Sequence, residues 1–186
     1  MNEASPPPSA ATPPAAATPP AATTTAAIAF RSVNIAKEVI IDGSWKEETL
    51  WVPITDQVSI RPFLFDVSGG SWSSLLRVAP GGRLACHYHT GPVYGYVVEG
   101  SWRYLEHDWV AKTGTFIFEP PGEMHTLVAD PEAGMITFFV TRGALIYTDK
   151  RGRQVGYEDV FTRLAHTQKF WKKSGLDKAQ LQAMIR

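Results

Sequence analysis

From Ser74 to Val140 the chain repeats one pattern: a short run rich in β-branched and aromatic residues, then glycine or proline. Ser74–Val78 stops at Ala79-Pro80-Gly81-Gly82, and Tyr94–Glu99 stops at Gly100. Trp102–Tyr104 follows, Glu106-His107-Asp108 reads as a hairpin tip, and Trp109-Val110 begins the return. Thr115–Phe118 runs into Glu119-Pro120-Pro121-Gly122, and Met135–Val140 is almost continuously apolar. Short strands separated by such turn formers predict an all-β fold, an antiparallel sandwich or barrel. The period changes from Tyr157. Asp159 is placed to cap a helix whose apolar positions Val160, Phe161 and Leu164 have helical spacing. Leu176-Asp177 opens a second short helix with Ala179, Leu181, Ala183, Met184 and Ile185 as its apolar positions. Strands and helices do not alternate, which excludes a doubly wound parallel sheet.

Composition divides the chain. Every residue from Ala4 to Ala27 is Ala, Pro, Ser or Thr, and half of the 14 prolines lie there. Such a segment has no large side chain to bury, so nothing offsets its ordering entropy. We expect a disordered Ala/Pro/Thr-rich tail over residues 1–29 and a folded domain over 30–186, helical from about residue 157.

Charge and cysteine content narrow the function. Lys plus Arg and Asp plus Glu are both 18, so the formal charge is zero, without the basic excess of a nucleic-acid or membrane-surface protein. Lys150–Arg186 alone holds nine basic and three acidic residues, net +6 (9 − 3), which fits a solvated helical face. The single Cys86 excludes a disulfide framework and a multi-cysteine zinc site. No apolar run approaches the roughly 18 residues of a membrane span, and Met1-Asn2-Glu3 does not begin a secretory signal. We expect a cytoplasmic protein.

The chemistry lies in the histidines. On a strand, His87 and His89 point to one face, with Cα atoms about 6.5–7 Å apart, which suits two cis ligands of one metal ion. His125, after a second strand and the Pro120-Pro121-Gly122 turn, is the candidate third ligand. Gly81, His87, His89 and Gly100, then Gly114, Pro120, Gly122 and His125, fill eight of the ten positions of the two-part cupin signature. Val93 stands where that signature has Glu, and Ala129 where it has Asn. The region from about Leu75 to Val140 therefore resembles the cupin superfamily, whose fold is a double-stranded β-helix, or jelly-roll, barrel around a metal. Without the carboxylate ligand, three neutral imidazoles leave about +2 on the site, which favours an anionic chelating substrate.

Longer strings carry a finer likeness. His89-Thr90-Gly91-Pro92-Val93, Glu99–Trp109, Glu119–Leu127 and Gly156–Val160 are similar to the 2,4'-dihydroxyacetophenone dioxygenase family of cupins. That resemblance implies a non-haem Fe(II) enzyme with His87, His89 and His125 as metal ligands. It implies O2-dependent cleavage of an aryl α-hydroxyketone to an aryl carboxylate and formate, and a homo-oligomer, dimer or tetramer. Diketone-cleaving relatives also have a Glu six residues before the third histidine, here Glu119, the candidate catalytic residue. Tyr94, Arg103, Tyr104 and Glu106 are the candidates for substrate contact, with Arg103 suited to a phenolate or carboxylate. His107 and His166 read as surface residues, Cys86 and Tyr88 as packing. Two other functions compete: a non-catalytic metal-binding cupin sensor module, and a three-histidine dioxygenase for β-diketones.

Overall fold

The computed structural model describes residues 38–41 and 46–186. The tail expected over residues 1–29 lies outside them. Among the described residues, a short 3-10 turn at Glu48–Leu50 is followed by eleven strands. They are β1 (Val52–Pro53), β2 (Val58–Asp66), β3 (Ser71–Val78), β4 (Arg83–His89) and β5 (Val93–Tyr104). Then come β6 (Ala111–Lys112), β7 (Phe116–Glu119), β8 (His125–Ala129), β9 (Met135–Arg142), β10 (Leu145–Thr148) and β11 (Gln154–Glu158). Two helices close the chain, α1 (Val160–Ser174) and α2 (Lys178–Gln182). The fold is thus the expected all-β one, with C-terminal helices.

All strand pairings are antiparallel, in the order β1-β2-β3-β9-β5-β8-β4-β10-β11. Strand β5 joins the two halves. Its first part pairs with β9 and β7, and its last part with β8 and β6. A bulge between Val97 and Glu99 and the left-handed Gly100 (φ 72°) mark the change. The bulge inserts one residue and so inverts the in–out alternation. Tyr94 and Tyr96 before it face solvent, while Trp102 and Tyr104 after it face the core. Tyr94, Tyr96, Phe116 and Phe118 form an exposed aromatic face on β5 and β7.

Local signals explain α1. The Asp159 carboxylate accepts from Thr162 N at 2.8 Å and the Thr162 hydroxyl accepts from Asp159 N at 2.8 Å, a reciprocal capping box. Gly175 ends the helix in the left-handed conformation (φ 67°). Its buried stripe is Val160, Arg163, Thr167 and Trp171. Leu164 packs partly, but Phe161 is exposed, contrary to the expected apolar face. The C-terminus is tied back to β2: Phe65 N donates to Met184 O and Arg186 N to Phe65 O. Among the described residues no helix is long and apolar enough to cross a membrane.

A candidate metal centre

The three histidines come from two paired strands. His87 and His125 are direct cross-strand partners on β4 and β8, and His89 follows on β4 two residues later. A register shift between Leu84 and His87 lets both residues point inward although three positions separate them. The Gly122 N–H then donates to His89 O, drawing the Pro120-Pro121-Gly122 turn across the end of β4.

All three imidazoles are buried, and one nitrogen of each lies within 4.8 Å of the others. Ring centroids are 4.8–5.2 Å apart. His87 Nδ1 lies 2.7 Å from the Ala85 carbonyl. A carbonyl can only accept, so Nδ1 carries the proton and Nε2 keeps its lone pair. Burial lowers the His87 pKa to about 3, with His89 adding to the effect. Burial likewise lowers His125 to about 4, against the pull of Glu119. Both rings are therefore neutral near pH 7, the form that ligates metals.

Glu119, at the end of β7, brings a carboxylate to the same point. Its Oε2 lies 3.0 Å from His89 Nε2 and 3.8 Å from His125 Nε2. Its Oε1 accepts from the Tyr104 hydroxyl at 2.6 Å. Burial works to raise the Glu119 pKa, but His89 and Tyr104 outweigh it and hold the carboxyl below its usual range. Tyr104 is pushed well above its ordinary value by burial and by Glu119, so it remains a donor. Its ring stacks on His125, centroids 3.8 Å apart and 7° from parallel.

The donor set fits a cation. Glu119 Oε2, His89 Nδ1 and both His125 nitrogens are buried without hydrogen-bond partners. Apart from the His89 Nε2 contact, no described residue donates to this oxygen, and lone pairs converging on a carboxylate are costly unless a cation or water completes the arrangement. Imidazole and carboxylate oxygen together accept Fe(II), Zn(II) and related ions.

The sequence family agrees with this geometry. The family described as the ChrR cupin-like domain matches residues 44–146, more than half of the chain. The chain belongs to the ChrR cupin-like domain family. This cupin is similar to an RmlC-like cupin protein from Ralstonia eutropha JMP134: 30% identity, TM-score 0.63, 68% of this chain and 84% of that one covered. It shares its fold with an acetylacetone dioxygenase from Acinetobacter johnsonii: 16% identity, TM-score 0.65, 73% and 94% covered. No curated protein matches.

The other residues singled out in the sequence of this cupin divide. Tyr104 lines the cavity with His87, His89 and Glu119. Tyr94, expected against substrate, lies instead on the outer face against Phe118, because it precedes the β5 bulge. Arg103 alternates with the buried Trp102 and Tyr104, so it too faces out; its Nη1 reaches only Tyr104 O at 3.4 Å. Glu106 sits in the exposed turn after β5 and accepts from Thr126 N at 2.8 Å. His107 pairs with Glu123 at 3.0 Å.

Proposed function

We propose that this cupin is a cytoplasmic non-haem Fe(II) dioxygenase that cleaves a carbon–carbon bond of an aryl α-hydroxyketone of the 2,4'-dihydroxyacetophenone type. The atoms balance: hydroxyketone plus O2 gives 4-hydroxybenzoate plus formate. The observation that carries the reading is the ionised, buried Glu119 beside three imidazoles, two of them held neutral by burial. Fe(II) held by His87, His89 and His125 would supply Lewis-acid polarisation of the ketone and redox chemistry with O2.

The protein's own groups do the rest. Glu119 Oε2 takes the α-proton, turning the ketone into an electron-rich enediolate. Tyr104 holds the other carboxylate oxygen, so a single oxygen faces the cavity centre. Leu84, Leu127 and Phe139 exclude bulk water from the reacting carbons. The cavity has about 40 Å3 of free space, room for roughly three waters. Substrate displaces them, and an aryl ring enters with a shift of the lining side chains. The exposed aromatic face of β5 and β7 is the surface that pairing of subunits into a dimer or tetramer would cover.

Two observations favour other functions. The small cavity suits a compact enolisable ketone such as a β-diketone. The family match favours a metal-binding sensor module. Anaerobic loading with Fe(II), then O2 uptake with 2,4'-dihydroxyacetophenone, separates the three. Stoichiometric uptake giving 4-hydroxybenzoate and formate, lost in His125→Ala, supports the proposal. Uptake with β-diketones alone supports the first alternative; tight zinc binding without uptake supports the second.

A further inference from the structure

Arg163 is a cation in the wall of the candidate metal cavity. It lies on the buried stripe of α1, is 4% exposed, and lines the same cavity as His87, His89, Tyr104 and Glu119. Its Nη2 pairs with Glu158 Oε2, the oxygen that also accepts from the Tyr147 hydroxyl at 2.8 Å. Nε and Nη1 are buried without any hydrogen-bond partner. A guanidinium has five N–H donors. The Glu158 pair engages Nη2 only, so the Nε–H and both Nη1–H remain.

Donors of a buried cation are expensive to leave unmatched, because burial removes the water that would satisfy them. Helix packing does not require an arginine at this position; an apolar side chain would complete the stripe from Val160 to Trp171 at lower cost. Glu158 does not satisfy the group either, since it spends one oxygen on two donors. The planar fork of arginine matches oxyanions. Of the hydroxyl-bearing linings, Tyr104 donates to Glu119, and neither Ser74 nor Thr141 pairs with the Nε or Nη1 of Arg163.

We infer that Arg163 receives an oxyanion of a small organic ligand, a phenolate or a carboxylate, bound in the cavity that also holds the histidine cluster. The inference rests on the small-molecule reading above and gives the substrate a second anchor away from the metal. It assigns to Arg163 the role that the sequence suggested for Arg103.

The test is calorimetric binding to the zinc-loaded full chain, which does not turn over. Benzoate is compared with benzamide, and 4-nitrophenolate with 4-nitroaniline. At least one anion should bind about tenfold or more tightly than its neutral partner. Which pair shows the preference tells whether the ligand group is a carboxylate or a phenolate. In Arg163→Met the preference should collapse to about twofold or less with zinc stoichiometry unchanged; Arg163→Lys, which keeps charge without the fork, should retain part of it. Glu158→Gln, which frees Nη2 and removes the competing charge, should strengthen anion binding, and this holds the test open if Arg163→Met does not fold. Equal binding of anion and neutral partner overturns the inference. So does an anion preference that survives in Arg163→Met, which would place the anion on zinc, or an unchanged anion affinity in Glu158→Gln. Failure of the dioxygenase reading appears separately, as absent O2 uptake by the iron form, and leaves these affinities untouched.

Discussion

Replacing Tyr104 by Phe deletes one oxygen and tests the state assigned to Glu119. The hydroxyl donates to Glu119 Oε1 at 2.6 Å, and both residues are buried. The ring stacked on His125 at 3.8 Å is kept by phenylalanine. What is lost is one hydrogen bond to a buried carboxylate, about 1.5–3 kcal/mol for a charged acceptor. For a domain of this size that is a fall in Tm of roughly 3–12 °C. The pH dependence gives the effect its signature. In the folded protein the Glu119 pKa is held down by His89 and Tyr104 against burial. A depressed folded-state pKa contributes stability that is present above the unfolded value, about 4.3, and is lost as pH falls through the folded one. Removing the Tyr104 donor raises the folded pKa. The gap between Tyr104→Phe and the parent should therefore be full near neutrality and close toward acid. Urea unfolding of metal-stripped protein from about pH 2.5 to about pH 7, which spans the range below the unfolded value where the gap closes, reads it as a shift in midpoint at constant m. A gap that does not narrow toward acid, or none at neutrality, refutes the view that Tyr104 fixes an ionised Glu119.

Acid should destabilise the metal-stripped protein through its histidines. The folded pKa values of His87 and His125 lie at about 3 and about 4, below the unfolded value near 6.5. The unfolded chain then binds more protons, so stability present above that value is lost as pH falls toward the folded pKa values, by up to about 1.4 kcal/mol per pH unit for each ring. Denaturant melts at about pH 5 and about pH 7 check this, and equal stability at the two would contradict it. Gly100→Ala should unfold or severely destabilise the barrel: φ is +72°, and a Cβ would meet Gly134 O at 2.1 Å. Gly114→Ala, also at positive φ (+89°) but with nothing within 4 Å, should cost only about 1–2 kcal/mol of backbone strain; equal losses in the two melts would remove the steric argument. Glu119→Gln should lower kcat about 100-fold or more while iron content stays stoichiometric, measured by metal analysis beside O2 uptake. Unimpaired turnover would remove Glu119 from proton transfer.

The legible and illegible parts of this chain divide by whether the signal is local. The cupin fold was readable because Gly and Pro occupy fixed turn positions, and turns are decided by a few adjacent residues. The histidine cluster was readable because spacing of two on a strand fixes a face. Period-two reasoning failed where a bulge intervened. It places Tyr94, Tyr96, Trp102 and Tyr104 on one face, whereas the extra residue between Val97 and Glu99 sends the first pair out and the second pair in. The same device on β4 turns both Leu84 and His87 inward. Strands β2, β10 and β11 escaped attention because they lack strong alternation: Pro62 and two bulges interrupt β2 and the β10–β11 pairing. On α1 the apolar positions pointed to Phe161, but Arg163 and Thr167 complete the buried stripe. A count of apolar residues passes over a buried cation.

That buried cation bears on the choice between enzyme and sensor. A structural zinc site is closed by four ligands, whereas a catalytic one keeps a position open. Three histidines leave the choice to Glu119, whose Oε2 stands 3.0 Å from His89 Nε2. As a fourth ligand it would complete a closed site suited to metal holding; as a base it would leave the metal open to substrate. Tyr104 draws the other oxygen of the same carboxylate away through a 2.6 Å bond. Nothing in a closed metal site calls for a guanidinium with two unpaired nitrogens in the wall of the same cavity. A site that must receive an enolisable ketone and hold its far oxygen requires both an open coordination position and a fixed donor. The zinc affinity of Glu119→Gln tests this. Loss of a supporting contact lowers affinity by about 10–100-fold. A far larger drop would make Glu119 a ligand and the centre a closed one. A small drop, joined to an anion preference that depends on Arg163, would leave the open site and its second anchor as the account that uses every buried charge around the cavity.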